Sequence, residues 1–201
     1  MIIALEGGIC SGKTTLAKQL EKRGFFNVPE YMDIITPQEQ QELDTLISQD
    51  KSALPFFLKM EKRRKELYGS QSLQRDSVLD RSYLTLFAYE FAKNNTYPAL
   101  DMASKENVIM PDLIIFLDVN DQLRKQRSLE RKDVDMPEIF LNSEFNQRLK
   151  TFFLEKSSER CIFINSERLE AEQMANILKD IKIEPQKQLC TLFQKTFQFD
   201  R

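Results

Sequence analysis

Gly7-Gly8-Ile9-Cys10-Ser11-Gly12-Lys13-Thr14 satisfies the pattern G-x-x-x-x-G-K-[ST] at every fixed position, and Thr15 follows directly. Each residue type has a chemical reason. Glycine lets backbone N–H groups converge on a polyphosphate without a Cβ in the way. A helix opening at the loop adds the positive end of its dipole. A lysine in this place reaches the β- and γ-phosphates, and the threonine hydroxyl serves Mg²⁺. Three of the chain's five glycines lie between positions 7 and 12. The motif predicts that residues 7–15 bind a nucleoside triphosphate. It leaves kinase, GTPase and ATPase chemistry open.

Group transfer needs an acceptor side as well, so charged residues after the other apolar runs matter. Glu6 precedes the loop, Glu30 follows Pro29, and Asp80-Arg81-Ser82 follows Ser77-Val78-Leu79. An acid can accept a hydroxyl proton or hold metal-bound water, and an arginine can neutralise a moving phosphoryl group. Glu30, Asp80 and Arg81 are therefore catalytic candidates beside Lys13, and Thr14 with Asp80 are candidates for the metal. Asp118 ends another apolar run; it is expected to cap the next helix and stays outside the catalytic set. Arg124, Arg127 and Arg131 recur at i, i+3 and i+7, one face of a helix or a lid near residues 121–135. Arg127 and Arg131 are expected to close over the triphosphate. The basic run Lys59, Lys62, Arg63, Arg64 and Lys65 reads as solvated surface, with room for one arginine to enter an acceptor pocket beside Phe57.

Composition removes whole classes of chemistry. The 201 residues contain no histidine, which excludes Ser-His-Asp and Cys-His catalysis and histidine metal ligation. Lys+Arg total 29 against 31 Asp+Glu, for a net charge of −2. That balance gives no electrostatic reason to bind a nucleic acid polymer or a membrane surface. Cys10, Cys161 and Cys190 are odd in number and widely spaced, so neither a zinc site nor a disulfide framework is expected. No run approaches the ~18 apolar residues of a membrane span. Glu6 interrupts the first apolar run before it could serve as a signal peptide. A soluble cytoplasmic protein in a reducing compartment is the expectation.

The elements that must position these groups alternate. Strands are predicted at residues 2–5, 25–28, 77–79, 111–119 and 161–164. Helices are predicted at 14–23, closed by Gly24, and at 55–68, 82–93, 121–132, 137–157 and 167–181. Thr36-Pro37-Gln38-Glu39 reads as a capping box with proline at the first helical position, opening a helix to about Gln49. Apolar strands alternating with helices predict an α/β fold of three layers, with a parallel sheet of about five strands. Residues 1–183 form the expected domain. The tail, 184–201, carries Phe193, Phe197 and Phe199 and is expected to pack on it; a contact with a partner or a homodimer is the second reading.

With these residues in place, the chain resembles the P-loop kinases of the deoxynucleoside kinase and thymidylate kinase group. Leu5-Glu6-Gly7 is similar to the entry into their phosphate loop. Val28-Pro29-Glu30 is similar to the segment whose glutamate acts on the acceptor hydroxyl. Asp80-Arg81-Ser82, with Ala88-Tyr89 soon after, is similar to their acid-Arg-Ser or Asp-Arg-Tyr motif. Residues 111–119 are similar to their PDL…LDV strand, and Arg127 and Arg131 fall where their lid follows. Thymidylate kinases usually carry arginine just before the strand-2 glutamate, where Pro29 stands here. Proteins resembling nicotinamide riboside kinases share the Gly-Gly loop, the Pro-Glu and the Asp-Arg.

The resemblance implies that ATP·Mg²⁺ donates its γ-phosphoryl group to a hydroxyl of a nucleoside or nucleotide-like small molecule. The alternatives are a monophosphate kinase of the thymidylate type and an NTP-binding regulatory protein without a small-molecule acceptor. No Asn/Thr-Lys-x-Asp guanine-recognition segment supports a GTPase switch.

Overall fold

The computed structural model describes residues 1–130, 138–157 and 160–180. Five strands form one sheet: β1 (Ile2–Glu6), β2 (Phe26–Val28), β3 (Ser77–Asp80), β4 (Leu113–Asp118) and β5 (Cys161–Asn165). Their order is β2-β3-β1-β4-β5, and every pairing is parallel. β1 therefore sits at the centre. The chain moves to one side of it for β2 and β3 and to the other for β4 and β5. Ligands of such sheets bind beyond the strands' carboxyl ends where the order reverses, which is where the loop after β1 emerges.

Alternating side chains explain the three layers. Ile2, Ala4, Leu79, Ile114 and Phe116 face one cluster. They pack against α3 (Leu54–Gln74), α4 (Leu84–Asn94) and α6 (Ser143–Lys156), and beside these stands α2 (Pro37–Ser48), which adds Leu43. Ile3, Leu5, Val78, Ile115 and Leu117 face the other side, against α1 (Lys13–Glu21) and α7 (Ala171–Asp180). Each fully buried Leu, Ile or Phe contributes about 1.5–3 kcal/mol. The remaining helix, α5 (Asp121–Glu130), follows β4.

The predicted capping box is present. Glu39 N–H donates to Thr36 Oγ1 at 3.3 Å, and Thr36 N–H donates to Glu39 Oε2 at 2.9 Å. Several boundaries differ from expectation, α4 starting at Leu84 and α7 at Ala171 among them, and so does one helix cap. α3 runs through Gly69 to Gln74, beyond the predicted stop at Tyr68. The segment 137–157 is split: a 3-10 turn at Glu138–Leu141 precedes α6, because Asn142 takes the N–H groups of Glu144 and Phe145 as a helix cap. Asp118 is not the cap of α5. Asn120 Oδ1 accepts from Leu123 N–H, while Asp118 Oδ2 accepts from Lys150 at 2.5 Å. Arg131, the lid beyond Glu130, Cys190 and the tail lie outside the described residues. Among the described residues no helix is long and apolar enough to cross a membrane.

Candidate active site

The loop after β1 is shaped by close approach. Gly7 has φ 126°, and a Cβ there would lie 2.5 Å from the Leu117 carbonyl oxygen of β4. A Cβ on Gly8 would lie 2.6 Å from Asn146 Oδ1 of α6 and 3.1 Å from an Arg124 nitrogen of α5. Only glycine lets β4, α5 and α6 pack onto the loop from behind. Cys10 also adopts positive φ, 61°, so the chain reverses there before α1. Ser166, just past β5, donates through Oγ to the Ser11 carbonyl at 3.1 Å. Ile9 and Cys10 are half-buried, and Thr14 and Thr15 are exposed at the first turn of α1.

Lys13 is buried, and its Nζ donates to the carbonyls of Gly7 at 3.1 Å and Gly8 at 2.8 Å. Burial, and next the neighbouring Arg81 cation, push its ammonium down to about 8. Thr14 Oγ1 donates to Asp80 Oδ2 at 2.7 Å. The other oxygen, Asp80 Oδ1, is buried and has no partner among the described residues. A hydroxyl and a carboxylate with an unused oxygen are the donor types that hold Mg²⁺ or its waters, so these residues fit the ion.

Arg81 binds the two sides together. Its φ is 71° and its side chain is buried. Nε donates to Glu30 Oε1 at 2.5 Å, and Nη1 donates to the Gly7 carbonyl at 3.3 Å. The guanidinium lies 5.2 Å from the Tyr89 ring centre. Burial opposes the Arg81 charge, but Tyr89, Glu30 and Asp80 together raise its pKa above the ordinary guanidinium value. Burial pushes the Glu30 carboxyl up, but Arg81 and Lys13 more than offset it and hold the group below the usual carboxylate range.

The three α5 candidates separate. Arg127 Nη1 donates to the Cys10 carbonyl at 3.2 Å, directly at the loop. Arg124 points inward: it is 2% exposed, pairs with Asp121 and donates to the Phe140 carbonyl at 3.2 Å. Arg124 therefore packs between Asp121 and the Phe140 carbonyl, beside Gly8 of the loop. In the other basic run, Arg63 lies on Glu39, Lys65 on the Lys105 carbonyl, and Arg64 alone is fully buried.

Three contributors stand outside the predicted site residues. Glu6, fully buried with its pKa raised by burial, accepts from Ser82 N–H at 2.8 Å, from Ser82 Oγ at 2.6 Å and from Thr85 Oγ1, so it anchors the turn after β3. Tyr89 stands one helical turn beyond Thr85 on α4 and supports Arg81. Ser166, just past β5, is uncharged, so charge at the strand ends does not mark it.

A family model described as "AAA domain" matches residues 2–172. The chain belongs to this AAA-domain family. Its phosphate loop, Asp80-Arg81 turn and β4 all lie within the matched span. The family member's fold is also that of solved P-loop kinases. Deoxyadenosine kinase from M. mycoides with bound dATP superposes with TM-score 0.65 at 16% identity, covering 89% of this chain and 97% of that one. The same enzyme with products dCMP and dCDP gives 0.66 at 17% identity, covering 89% and 96%. Thymidylate kinase from Ehrlichia chaffeensis gives 0.57 at 17%, covering 98% and 97%. No curated protein matches the chain in sequence.

Proposed function

We propose that this protein transfers the γ-phosphoryl group of ATP to a hydroxyl of a nucleoside-type small molecule. The observation that carries the reading is the Arg81 bridge. One guanidinium touches both Glu30 and the Gly7 carbonyl of the phosphate loop, so an acid and the donor cradle meet at one cation. Lys13 and the loop amides hold the donor phosphates. Mg²⁺, when bound at Thr14 and Asp80, supplies charge neutralisation on the triphosphate.

The acceptor hydroxyl lies against Glu30. As its oxygen bonds to the γ-phosphorus, the bond to the β–γ bridging oxygen breaks and ADP leaves. Glu30 takes the hydroxyl proton. Its low pKa suits orientation and a late proton transfer, because the transition state is loose and demands little early proton removal. Arg81 neutralises charge on the moving group, and Arg127 holds the loop at Cys10.

Charge balance supports a hydroxyl acceptor over a monophosphate. Arg81 is matched by Glu30 and Arg64 by Glu61, and exposed Asp33 lies close enough to Glu30 to have its carboxyl pKa raised, after burial. A second phosphate beside Glu30 would meet Arg81 and Arg64 already matched by carboxylates. A coupled assay of ADP release with ATP·Mg²⁺ tests this, with deoxyadenosine and deoxycytidine run against dCMP and dTMP. Nucleoside-dependent release supports the reading; release dependent only on monophosphates overturns it.

A further inference from the structure

We infer that Arg64 is a positioning residue for the transfer, fixing the Arg81 main chain and thereby the Arg81–Glu30 pair. Arg64 sits in a run of basic residues on α3, yet it is fully buried. Its Nη2 donates to the Arg81 carbonyl at 2.8 Å, and its Nη1 donates to Glu61 Oε2 at 3.3 Å. Glu61 is locked in turn, since its Oε1 accepts from Ile109 N–H at 3.0 Å. The same guanidinium lies 4.8 Å from the ring centre of Tyr31, the residue after Glu30. One side chain thus touches the chain next to both members of the catalytic pair.

Arg81 needs such support. A non-glycine residue at φ 71° is strained and persists only where the surroundings over-determine it. Its N–H donates to the Leu5 carbonyl of β1 at 3.1 Å, and its carbonyl is held by Arg64. With the peptide groups on both sides fixed, the side chain leaves the strand end toward Gly7 and Glu30.

Stability alone does not account for this arrangement. Apolar side chains of similar volume commonly replace a buried ion pair at no cost to the fold. Arg64 Nε is also buried without a partner among the described residues, an added desolvation cost. Lysine cannot substitute, because only a planar fork serves the Arg81 carbonyl and Glu61 together.

The consequence for turnover rests on the transfer reading; the consequence for geometry does not. Two variants separate position from folding. Glu61→Gln/Arg64→Met removes both buried charges while leaving an acceptor for Ile109 N–H, and Arg64→Lys keeps a cation. The first readout needs no acceptor. The Arg81 Nε–H resonance, assigned by its loss in Arg81→Lys, is followed by proton–nitrogen NMR. Its exchange with water should accelerate at least about tenfold in both variants, as expected when a hydrogen bond holding its main chain is lost.

The second readout uses ATP·Mg²⁺ with deoxyadenosine. Turnover should fall about 10–100-fold, the effect of a small misplacement of a reacting group, while ATP affinity stays within about twofold. Parental exchange at Arg81 in a folded variant overturns the inference. So does a parallel fall of turnover, ATP affinity and melting temperature, which marks a merely structural residue. If the double variant does not fold, Arg64→Lys decides by the same readouts. If the parent phosphorylates no acceptor, the transfer reading fails, and the exchange measurement still decides the role of Arg64.

Discussion

Thr14 Oγ1 donates to Asp80 Oδ2 at 2.7 Å, joining the phosphate motif to the end of the neighbouring strand across 66 residues of sequence. The sheet makes this meeting inevitable. β1 and β3 run parallel with Leu5 opposite Asp80, so whatever follows β1 rises beside Asp80. The unused Asp80 Oδ1 leaves a carboxylate oxygen free for the Mg²⁺ that the proposed transfer requires. Asp80→Asn should therefore raise the Mg²⁺ concentration for half-maximal ATP turnover at least about tenfold, the worth of a charge-assisted contact. Binding of metal-free ATP should be equal or tighter, because a negative charge near the phosphates is gone. A Mg²⁺ titration of turnover and a calorimetric titration with EDTA present check the two halves.

Lys13→Ala should lower turnover ~10²–10³-fold with an unchanged far-UV circular dichroism spectrum, the loss expected for one electrostatic group at the reacting phosphates. The pH behaviour follows from burial. In the protein without nucleotide the Lys13 ammonium titrates at about 8 rather than 10.5, and polyphosphate binds the charged form. ATP affinity should fall as pH rises through about 8, and binding above that pH should take up a proton. Calorimetry at pH ~8.5–9 in two buffers of different ionisation enthalpy measures the uptake. Lys13→Arg, which stays charged, should abolish it.

Glu30→Gln should lower kcat by ~10²–10⁴ while leaving the KM for ATP nearly unchanged. Because Arg81 and Lys13 hold Glu30 below the usual carboxylate range, the parent should keep its activity as pH falls to that range. Arg81→Gln removes the largest lowering influence, so the acid limb of kcat/KM should move to higher pH. Coincident acid limbs in parent and variant would separate Glu30 from catalysis.

The α5 arginines should divide by role. Arg127→Ala should weaken ATP binding and raise the ratio of ATP hydrolysis to transfer, since Arg127 reaches the loop at Cys10 and a loosened site admits water. Arg124→Ala should act on stability first, by roughly 1.5–3 kcal/mol, the worth of hydrogen bonds to charged groups. Thermal melts and ATP titrations of both variants compare the two effects. Equal effects on both measures would refute the division.

The sheet and the loop were legible because apolar strands, a complete phosphate motif and a capping box are local signals. The errors came from contacts distant in sequence. Asp118 looked like a helix cap, but α5 begins at Asp121, so the cap is Asn120, and Asp118 instead meets Lys150, 32 residues on. α3 passed through Gly69, which is buried within the helix beside the Lys65 side chain and does not mark its end. Arg64 and Arg63 are indistinguishable by composition. Only helical phase separates them, and Phe56, Met60 and Arg64 at i, i+4 and i+8 carry that signal. Glu6 was visible as an acid at a strand end, but its three donors, two from Ser82 on the β3–α4 turn and one from Thr85 in α4, were not.

Phosphorus NMR of the protein with ATP, Mg²⁺ and deoxyadenosine tests the central claim most directly. A growing phosphomonoester resonance, matched by ADP and absent in Glu30→Gln, is the result expected if Glu30 and Arg81 serve a hydroxyl acceptor. ADP with inorganic phosphate alone, at a rate indifferent to deoxyadenosine and to every other nucleoside supplied, would contradict it.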